Sequence, residues 1–290
     1  MNRCYVYNVI AVTFINKSFI KVKFYRNFAV MDNSKGLFLK VEHQDLQRPE
    51  RFYRYRPINK FLWDLLENNE LYFATQDQLP DILDLRFELG TGVWNNIANN
   101  IYDKLFTQGI FTPMQSREVV VGNIVSAQTS AHGQRLLQQS QIWKKALNCW
   151  GVCCLTIDNI NYKMWEEYAD KHSGVCLEFD LCSTPRLYDR TYPVTYTDMP
   201  QVLDKGIDIS KILLNKKPQY FYESEWRILR FPASPFKFNK ESLTAIYFGV
   251  NISKDNYEKI EAFLNQNGYG HVKLHRAFIE AGSIIFKEKP

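Results

Sequence analysis

Short runs of alternating or continuous hydrophobic residues lie near both ends of the chain and predict β-strands. Residues 52–55 form one such run, which stops at Arg56-Pro57, where the proline ring disfavours continuation of a strand. The run at 150–156 is apolar almost throughout, as is typical of a strand buried on both faces, and Val175–Phe179 is predicted to be another strand. The same criteria predict further strands at 70–74, 193–196, 243–250, 272–279 and 284–286.

Helical spacing dominates the middle of the chain. Trp94, Ile97 and Ile101 recur three or four residues apart, which places them on one helix face. Residues 93–147 are therefore predicted to be mainly helical, with a break at 107–121. Asn59 is a favourable cap for a helix at 60–68. Further helices are predicted at 162–172, 199–214 and 255–267. Strands at both ends around a helical middle indicate an α+β fold, with mixed or antiparallel sheets flanked by helices and a helical insertion at about 93–147.

Composition indicates a globular domain with ample material for a core. The 290 residues are 46% hydrophobic and 23% charged, which is ordinary for such a protein. No apolar stretch approaches the roughly 18 residues of a spanning helix, so no membrane partner is expected. The excess of 36 basic over 31 acidic residues is concentrated in residues 1–30, so the remainder is neutral and lacks the global charge of a nucleic-acid-binding protein.

Residues 1–30 differ from the rest of the chain. They contain five basic residues and no acidic one, and they make a poor secretory signal, whereas Met31-Asp32-Asn33-Ser34 resembles a natural start. We interpret 1–30 as a basic N-terminal extension or a strand-like arm, and 31–290 as a single α+β domain with the helical insertion.

The six cysteines do not have zinc-ligand spacing. Cys149 and Cys153-Cys154 lie in an apolar run with no nearby histidine, and no Cys-x2-Cys pair is matched by a second one. No metal is therefore expected. Reduced, buried thiols are the expected state, which points to a cytoplasmic protein.

The run Tyr222-Glu223-Ser224-Glu225-Trp226-Arg227 contains the candidate chemistry. If the strand predicted after it extends back to residue 223, Glu223, Glu225 and Arg227 project from one face. Two crowded carboxylates hold one proton more tightly than usual, an arrangement suited to acid/base work or charge stabilisation. An exposed edge strand with an ordinary Glu–Arg pair is the alternative interpretation.

Several motifs together resemble a large bacterial family catalogued only as a domain of unknown function. The resemblance covers about residues 50–286 and rests on the Tyr222–Arg227 run and on these further segments: Tyr53-Arg54-Tyr55-Arg56, Leu71-Tyr72-Phe73, Met164-Trp165-Glu166-Glu167-Tyr168-Ala169, Asp170-Lys171-His172-Ser173-Gly174, Val175-Cys176-Leu177-Glu178-Phe179-Asp180 and Ile246-Tyr247-Phe248-Gly249. One segment departs from the family pattern: the expected Asn-Asp-Pro-Phe-Asp loop is Pro80-Asp81-Ile82-Leu83-Asp84 here.

The order of these motifs is also similar to that of ADP-ribosyltransferases. This similarity implies that NAD is the substrate, that Arg54 or Arg56 holds its pyrophosphate, and that Trp165 and Tyr168 pack against nicotinamide or ribose.

The same similarity assigns the chemistry to the two acids. Glu225 would stabilise the oxocarbenium-like cation, and Glu223 would orient or deprotonate an acceptor macromolecule. Tyr55, His172 and Arg227 complete the implied cofactor-binding set. ADP-ribosyl transfer or NAD hydrolysis is therefore the expected activity, and a toxin or phage-defence role would fit it.

Other interpretations remain open at this point. Arg54 and Arg56 share a strand face that could simply be exposed, and Trp165 and Tyr168, three residues apart on a helix, could belong to the core. Asp81 and Asp84 could join the glutamates to hold Mg²⁺ in a nuclease. A non-catalytic sensor of a nucleotide or a protein would use the arginines and aromatics without needing Glu225.

Overall fold

The central element of the fold is one sheet of eight strands. The computed structural model describes residues 46–79, 87–109, 116–134, 147–199, 201–203 and 209–288. The predicted extension at 1–30 lies outside these residues. Strands are numbered along the chain: β1 (Phe52–Arg56), β2 (Glu70–Leu71), β3 (Phe87–Leu89), β4 (Gly151–Thr156), β5 (Val175–Phe179), β6 (Thr191–Pro193), β7 (Thr195–Tyr196), β8 (Gln201–Leu203), β9 (Asn215–Lys216), β10 (Glu225–Arg230), β11 (Phe236–Lys237), β12 (Leu243–Phe248), β13 (Lys273–Glu280) and β14 (Ser283–Glu288).

The helices are distributed along the whole described chain. The α-helices are Lys60–Asn68, Thr91–Thr107, Arg117–Thr129, Tyr162–Tyr168, Pro185–Tyr188, Ile209–Leu213 and Lys254–Gln266, and the 3-10 turns are Gln76–Gln78, Leu181–Ser183, Pro218–Glu223 and Lys240–Ser242. The predicted α+β class, with a mixed and mostly antiparallel sheet flanked by helices, is confirmed. None of the helices within the described residues is long and apolar enough to cross a membrane.

The chain divides into two compact units. One contains the described parts of Gln76–Cys149 and Thr197–Asn215, and the other contains the described parts of His43–Thr75, Trp150–Tyr196 and Lys216–Pro290. The first unit includes the described part of the predicted helical insertion, with the helices Thr91–Thr107 and Arg117–Thr129. The second of these begins inside the predicted break at 107–121, so that break is shorter than expected, and residues 135–146 of the insertion lie outside the described part of the chain. Within the first unit, Ala98 and Tyr102 of one helix pack against Val120 and Val121 of the other.

The second unit contains the whole eight-stranded sheet, in the order β14-β13-β12-β5-β1-β4-β10-β6. Its strands pair antiparallel except β12 and β13, which run parallel and are connected through the helix Lys254–Gln266, since a parallel pair needs a long crossover. The Ser253 hydroxyl accepts a hydrogen bond from the Asn256 amide and caps this helix. Its buried residues Ile260 and Leu264 join the core on one face of the sheet.

Side chains cover both faces of this sheet. On the first face, Phe52, Leu177 and Ile228 belong to a large core, with residues from the helix Lys60–Asn68. The predicted cap of that helix is present, since the Asn59 side chain accepts hydrogen bonds from the amides of Phe61 and Leu62. The second face carries a smaller core that contains Tyr55, Cys176 and helix residue Trp165.

Two predicted helices are shorter than expected. The helix predicted at 162–172 ends at Tyr168, because Asp170, Lys171 and His172 all have left-handed backbone angles, which a right-handed helix excludes. The region predicted as a helix at 199–214 contains β8 and the helix Ile209–Leu213 within its described residues.

The loop after the helix Tyr162–Tyr168 is held by a close backbone contact with Gly249. The Gly249 amide donates to the Gly174 carbonyl, and the His172 carbonyl accepts from the Asn251 amide. A Cβ atom at Gly249 would lie 2.1 Å from the His172 carbonyl oxygen.

We expect Gly249→Ala to lower the free energy of unfolding by about 1–3 kcal/mol, because the backbone must shift to relieve this overlap. The unfolding midpoint in urea measures the change. Gly270→Ala is the control, since a Cβ there meets nothing within 4 Å. Equal stability of the two variants would contradict the close-contact explanation.

Candidate functional site

The two glutamates of the Tyr222–Arg227 run lie on different elements. Pro218 begins a 3-10 turn that ends at Glu223, and β10 begins only at Glu225. Ser224 between them has a left-handed φ of 44°, which interrupts the extended backbone. The predicted extension of the strand through Glu223 is therefore wrong, and the two carboxylates do not converge by strand alternation.

Lys216 brings the two carboxylates together instead. Its Nζ donates to Oε2 of Glu223 and, at 2.8 Å, to Oε2 of Glu225. Both glutamates are only 4% exposed, and Lys216 is buried as well. Since an isolated buried charge is strongly unfavourable, the lysine compensates two carboxylates that would otherwise repel each other.

Arg227 provides the second cation of this acid cluster, which we define as Lys216, Glu223, Glu225 and Arg227. It is 0% exposed, and its Nε donates to Oε1 of Glu225 at 2.7 Å while Nη2 donates to Oε2 at 3.2 Å. Such a two-pronged contact is the geometry that guanidinium and carboxylate favour. With two acids and two bases, the cluster is electrically balanced.

The surroundings move the pKa values of the two acids in opposite directions. Burial alone would raise the pKa of Glu225, but Arg227 and Lys216 outweigh it and lower that pKa to about 2. For Glu223, burial prevails over the opposing effect of Lys216, and the pKa is raised above its usual range. Glu225 is therefore ionised at neutral pH, whereas Glu223 binds a proton more readily than an exposed glutamate.

Tyrosines surround the acid cluster. The Tyr168 hydroxyl donates to Oε1 of Glu223 at 2.9 Å, and the Tyr196 hydroxyl accepts from the Glu225 amide at 2.8 Å. Tyr168 is 40% exposed, so it connects the buried Glu223 with the protein surface. Tyr222 instead donates to Glu167 at 2.6 Å.

Three residues of the predicted cofactor set form packing next to the cluster. Trp165 is 0% exposed, and its ring meets that of Tyr55 edge-on with centroids 5.1 Å apart. His172 is also buried and stacks against Trp165. Their hydrophobic contacts are those of a core, which is one of the interpretations left open by the sequence.

Arg54 and Arg56 lie on the opposite face of the sheet from Glu225. Thr156 of β4 is the register partner of both Tyr53 and Glu225, and side chains of directly paired residues share a face. Because successive side chains alternate, Arg54 and Arg56 project from the other face. Tyr168 and Arg227 thus form hydrogen bonds with the two glutamates, whereas Arg54 and Arg56 lie on the other side of the sheet from them.

The residues of the magnesium alternative lie outside the described part of the chain, because Asp81 and Asp84 fall within 80–86. Among the residues that are described, no group of three or more His, Cys, Asp or Glu side chains is arranged to hold a metal ion. The nuclease hypothesis stays a prediction.

Lys216 is the site residue that sequence reasoning missed. It lies seven residues before Glu223 and two before Pro218, and one residue, Asn215, separates it from the apolar run at 212–214. A lysine so close to an apolar run is a weak signal of a buried cation. Only the 3-10 turn and the bend at Ser224 bring it to both acids.

Comparison with known proteins places one family model on this region. Residues 164–228 match the model described as Protein of unknown function (DUF2971). The DUF2971 match contains Lys216, both glutamates, Tyr168 and Arg227, but it begins after Arg54 and Arg56. No curated protein and no solved structure matches the chain. The family description assigns no activity, so chemistry has to be argued from the side chains.

Replacing Lys216 with methionine tests whether this cation holds the acid cluster together. At pH 7 we expect Lys216→Met to lower the free energy of unfolding by about 3–5 kcal/mol, because its removal leaves buried carboxylate charge uncompensated. Urea denaturation followed by tryptophan fluorescence measures the difference.

Lys254→Met is the matched control for this substitution. Lys254 is 86% exposed where it pairs with Glu258, and such surface pairs contribute about 0–1 kcal/mol. A loss of similar size in both variants would contradict the compensating role of Lys216.

Proposed function

We propose that the acid cluster cleaves the N-glycosidic bond of NAD, in ADP-ribosyl transfer or NAD hydrolysis. The observation that supports this most directly is the pair of buried carboxylates that share Lys216 and have pKa values moved in opposite directions. Two titratable groups separated in this way are a recurrent arrangement for dividing acid/base and charge-stabilising roles.

Glu225 has the charge-stabilising role in this proposal. As the bond between ribose C1′ and nicotinamide breaks, nicotinamide leaves with the bonding electron pair and positive charge develops on the ribose. A carboxylate that is already ionised and held by Arg227 and Lys216 needs no reorganisation to oppose that charge. The lowered pKa of Glu225, about 2, keeps it in this form at all physiological pH values.

Glu223 has the proton-accepting role. Water, or a hydroxyl of the acceptor macromolecule, attacks C1′ and gives its proton to the Glu223 carboxylate. A carboxylate with a raised pKa is a better general base near neutral pH than an ordinary one, and the pKa of Glu223 is raised.

Access to Glu223 depends on Tyr168 in this proposal. The hydroxyl of Tyr168 donates a hydrogen bond to Oε1 of Glu223, so the Tyr168 side chain has to turn outward for a ligand to reach that oxygen. Its half-exposed ring is then available to pack against nicotinamide or ribose. Arg54 and Arg56, on the other face of the sheet, do not contact a ligand bound at this cluster, so they are left out of the proposed NAD site.

A cytoplasmic location is part of the same proposal. The cysteines of the described residues are thiols and are not joined in disulfides, as is usual in a reducing compartment, and NAD is available there. Consumption of NAD or modification of a cellular acceptor would also suit a bacterial toxin or phage-defence effector.

A non-catalytic sensor of a nucleotide or protein is the second candidate. It is favoured by one observation: each carboxylate oxygen of Glu223 and Glu225 already accepts a hydrogen bond from a protein side chain. Satisfied and balanced networks of this kind also occur as purely structural elements. NAD binding without any nicotinamide release would favour the sensor.

Nicotinamide release from NAD tests the catalytic proposal. We expect Glu225→Gln to reduce release at least about 100-fold while NAD binding is retained, because a preorganised charge that opposes the transition state is lost. Liquid chromatography quantifies nicotinamide, and calorimetry measures binding. Glu167→Gln is the control, since Glu167 is exposed and contacts Tyr222 instead of the cluster. Absence of release from wild type with water, protein extract, DNA and RNA as acceptors would refute the proposal.

The pH profile of the reaction tests the role of Glu223. The hydrogen bond from Tyr168 favours the ionised form of Glu223 and so opposes the rise of its pKa. Tyr168→Phe removes this bond, so the pKa of Glu223 should rise further. The limb of the pH–rate profile on which activity increases as Glu223 ionises should therefore move to higher pH. Tyr222→Phe, which loses a bond to Glu167, should leave the limb in place. Identical profiles for wild type and Tyr168→Phe would exclude Glu223 as the base.

A further inference from the structure

Two neighbouring arginines of β1 have no anionic partner among the described residues, unlike the buried charges of the acid cluster. Arg54 is 9% exposed, and Arg56 is half-buried. They project from the same face of β1, two residues apart, on the side of the sheet away from Glu225. The two guanidinium groups therefore carry two positive charges at sites with little exposure to solvent.

Within the described part of the chain, the contacts of these arginines involve no negative charge. Arg54 Nη1 donates to the Cys153 thiol at 2.7 Å, and the buried Nε of Arg56 has no hydrogen-bond partner there. Among the residues that the structure describes, no carboxylate pairs with either guanidinium. Burial raises the pKa of the Cys153 thiol, in spite of the two arginines, so the thiol remains neutral and leaves the positive charge unbalanced.

This arrangement contrasts with the other buried ionic groups of the same unit. Lys216 and Arg227 balance Glu223 and Glu225, and Glu178 pairs with Arg51. The electrostatic consequence is visible at Arg56, where the charge of Arg54, followed by burial, lowers the pKa to about 9. Uncompensated buried charge is destabilising, so an anion that binds here relieves a cost already present in the fold.

We propose that Arg54 and Arg56 form a binding site for a phosphate-type oxyanion, separate from the acid cluster. Guanidinium groups match phosphate oxygens because their donors form a planar fork. A phosphate dianion also balances both positive charges, whereas a single carboxylate balances one. Inorganic phosphate and the phosphate groups of a nucleotide have this chemistry in common. The site does not depend on the proposed NAD reaction, because none of its residues touches Glu223 or Glu225.

Anion-dependent stabilisation tests this site. The thermal midpoint of the full chain is measured at pH 7 with inorganic phosphate, pyrophosphate and ADP, and with chloride at equal ionic strength. Binding only to the folded state raises the midpoint, so phosphate compounds should raise it more than chloride does. A larger effect of ADP than of both inorganic anions identifies a nucleotide as the source, and equal effects identify the free anion.

Arg56→Gln distinguishes a ligand site from a structural one. It should weaken phosphate binding about tenfold or more, as expected for loss of charged hydrogen bonds. In the absence of phosphate it should leave the midpoint unchanged or raise it, because it removes an unbalanced charge. A purely structural arginine would instead lower the midpoint when replaced.

Two further variants complete the comparison. Arg51→Gln is the matched control: Arg51 is on the same segment but is half-exposed and pairs with Glu178, so the response to phosphate should persist. Arg56→Lys retains the charge without the planar fork and should bind phosphate more weakly than wild type. A wild-type protein that responds equally to chloride and to all three phosphate compounds would overturn the proposal, as would an undiminished phosphate response in Arg56→Gln.

Discussion

The pairing of Thr156 with both Tyr53 and Glu225 is the constraint on which the rest of the site depends. This register fixes which side chains of β1, β4 and β10 share a face, since strand residues alternate between the two sides of a sheet. It places Glu225 and Arg227 on the face that carries Tyr55 and the helix Tyr162–Tyr168. The same register directs Arg54 and Arg56 to the opposite face, so the side chains of β1 lie in two chemically different environments.

Charge balance gives these two environments their different properties. On one face, two carboxylates, a lysine and an arginine compensate each other, which allows four ionic side chains to be almost completely buried. Within that balance, the acids remain inequivalent because Arg227 and Lys216 outweigh burial at Glu225, whereas burial prevails at Glu223, so their pKa values move in opposite directions. On the other face, Arg54 donates to a neutral thiol, and no described carboxylate pairs with either arginine of β1. A balanced cluster suits chemistry that needs fixed charge, whereas an unbalanced pair suits the binding of a charged ligand.

Much of the local structure could be predicted because its causes are local. Asn59 caps the helix Lys60–Asn68 as expected, and the apolar run at β4 predicts a buried strand. The wrong predictions arise where single residues adopt backbone conformations that the pattern of residue types does not indicate. Ser224 adopts a left-handed conformation and separates Glu223 from β10, and three such residues after Ala169 end the preceding helix early. The loop after Ala169 is held by tertiary contacts, such as the hydrogen bond that the Asn251 amide donates to the His172 carbonyl, and serine, lysine and histidine give no signal comparable to glycine.

The sequence by itself determined the α+β class, most of the strands, and the concentration of titratable and aromatic residues at 222–227. It also identified Glu223, Glu225, Arg227 and Tyr168, which the fold does bring into contact. Only the tertiary structure decided that Lys216 forms hydrogen bonds with both acids and that Arg54 and Arg56 lie on the opposite face of the sheet. The physical reason is that hydrophobic periodicity reports which positions are buried, whereas the partner of a buried charge is set by strand register and turn geometry between distant segments.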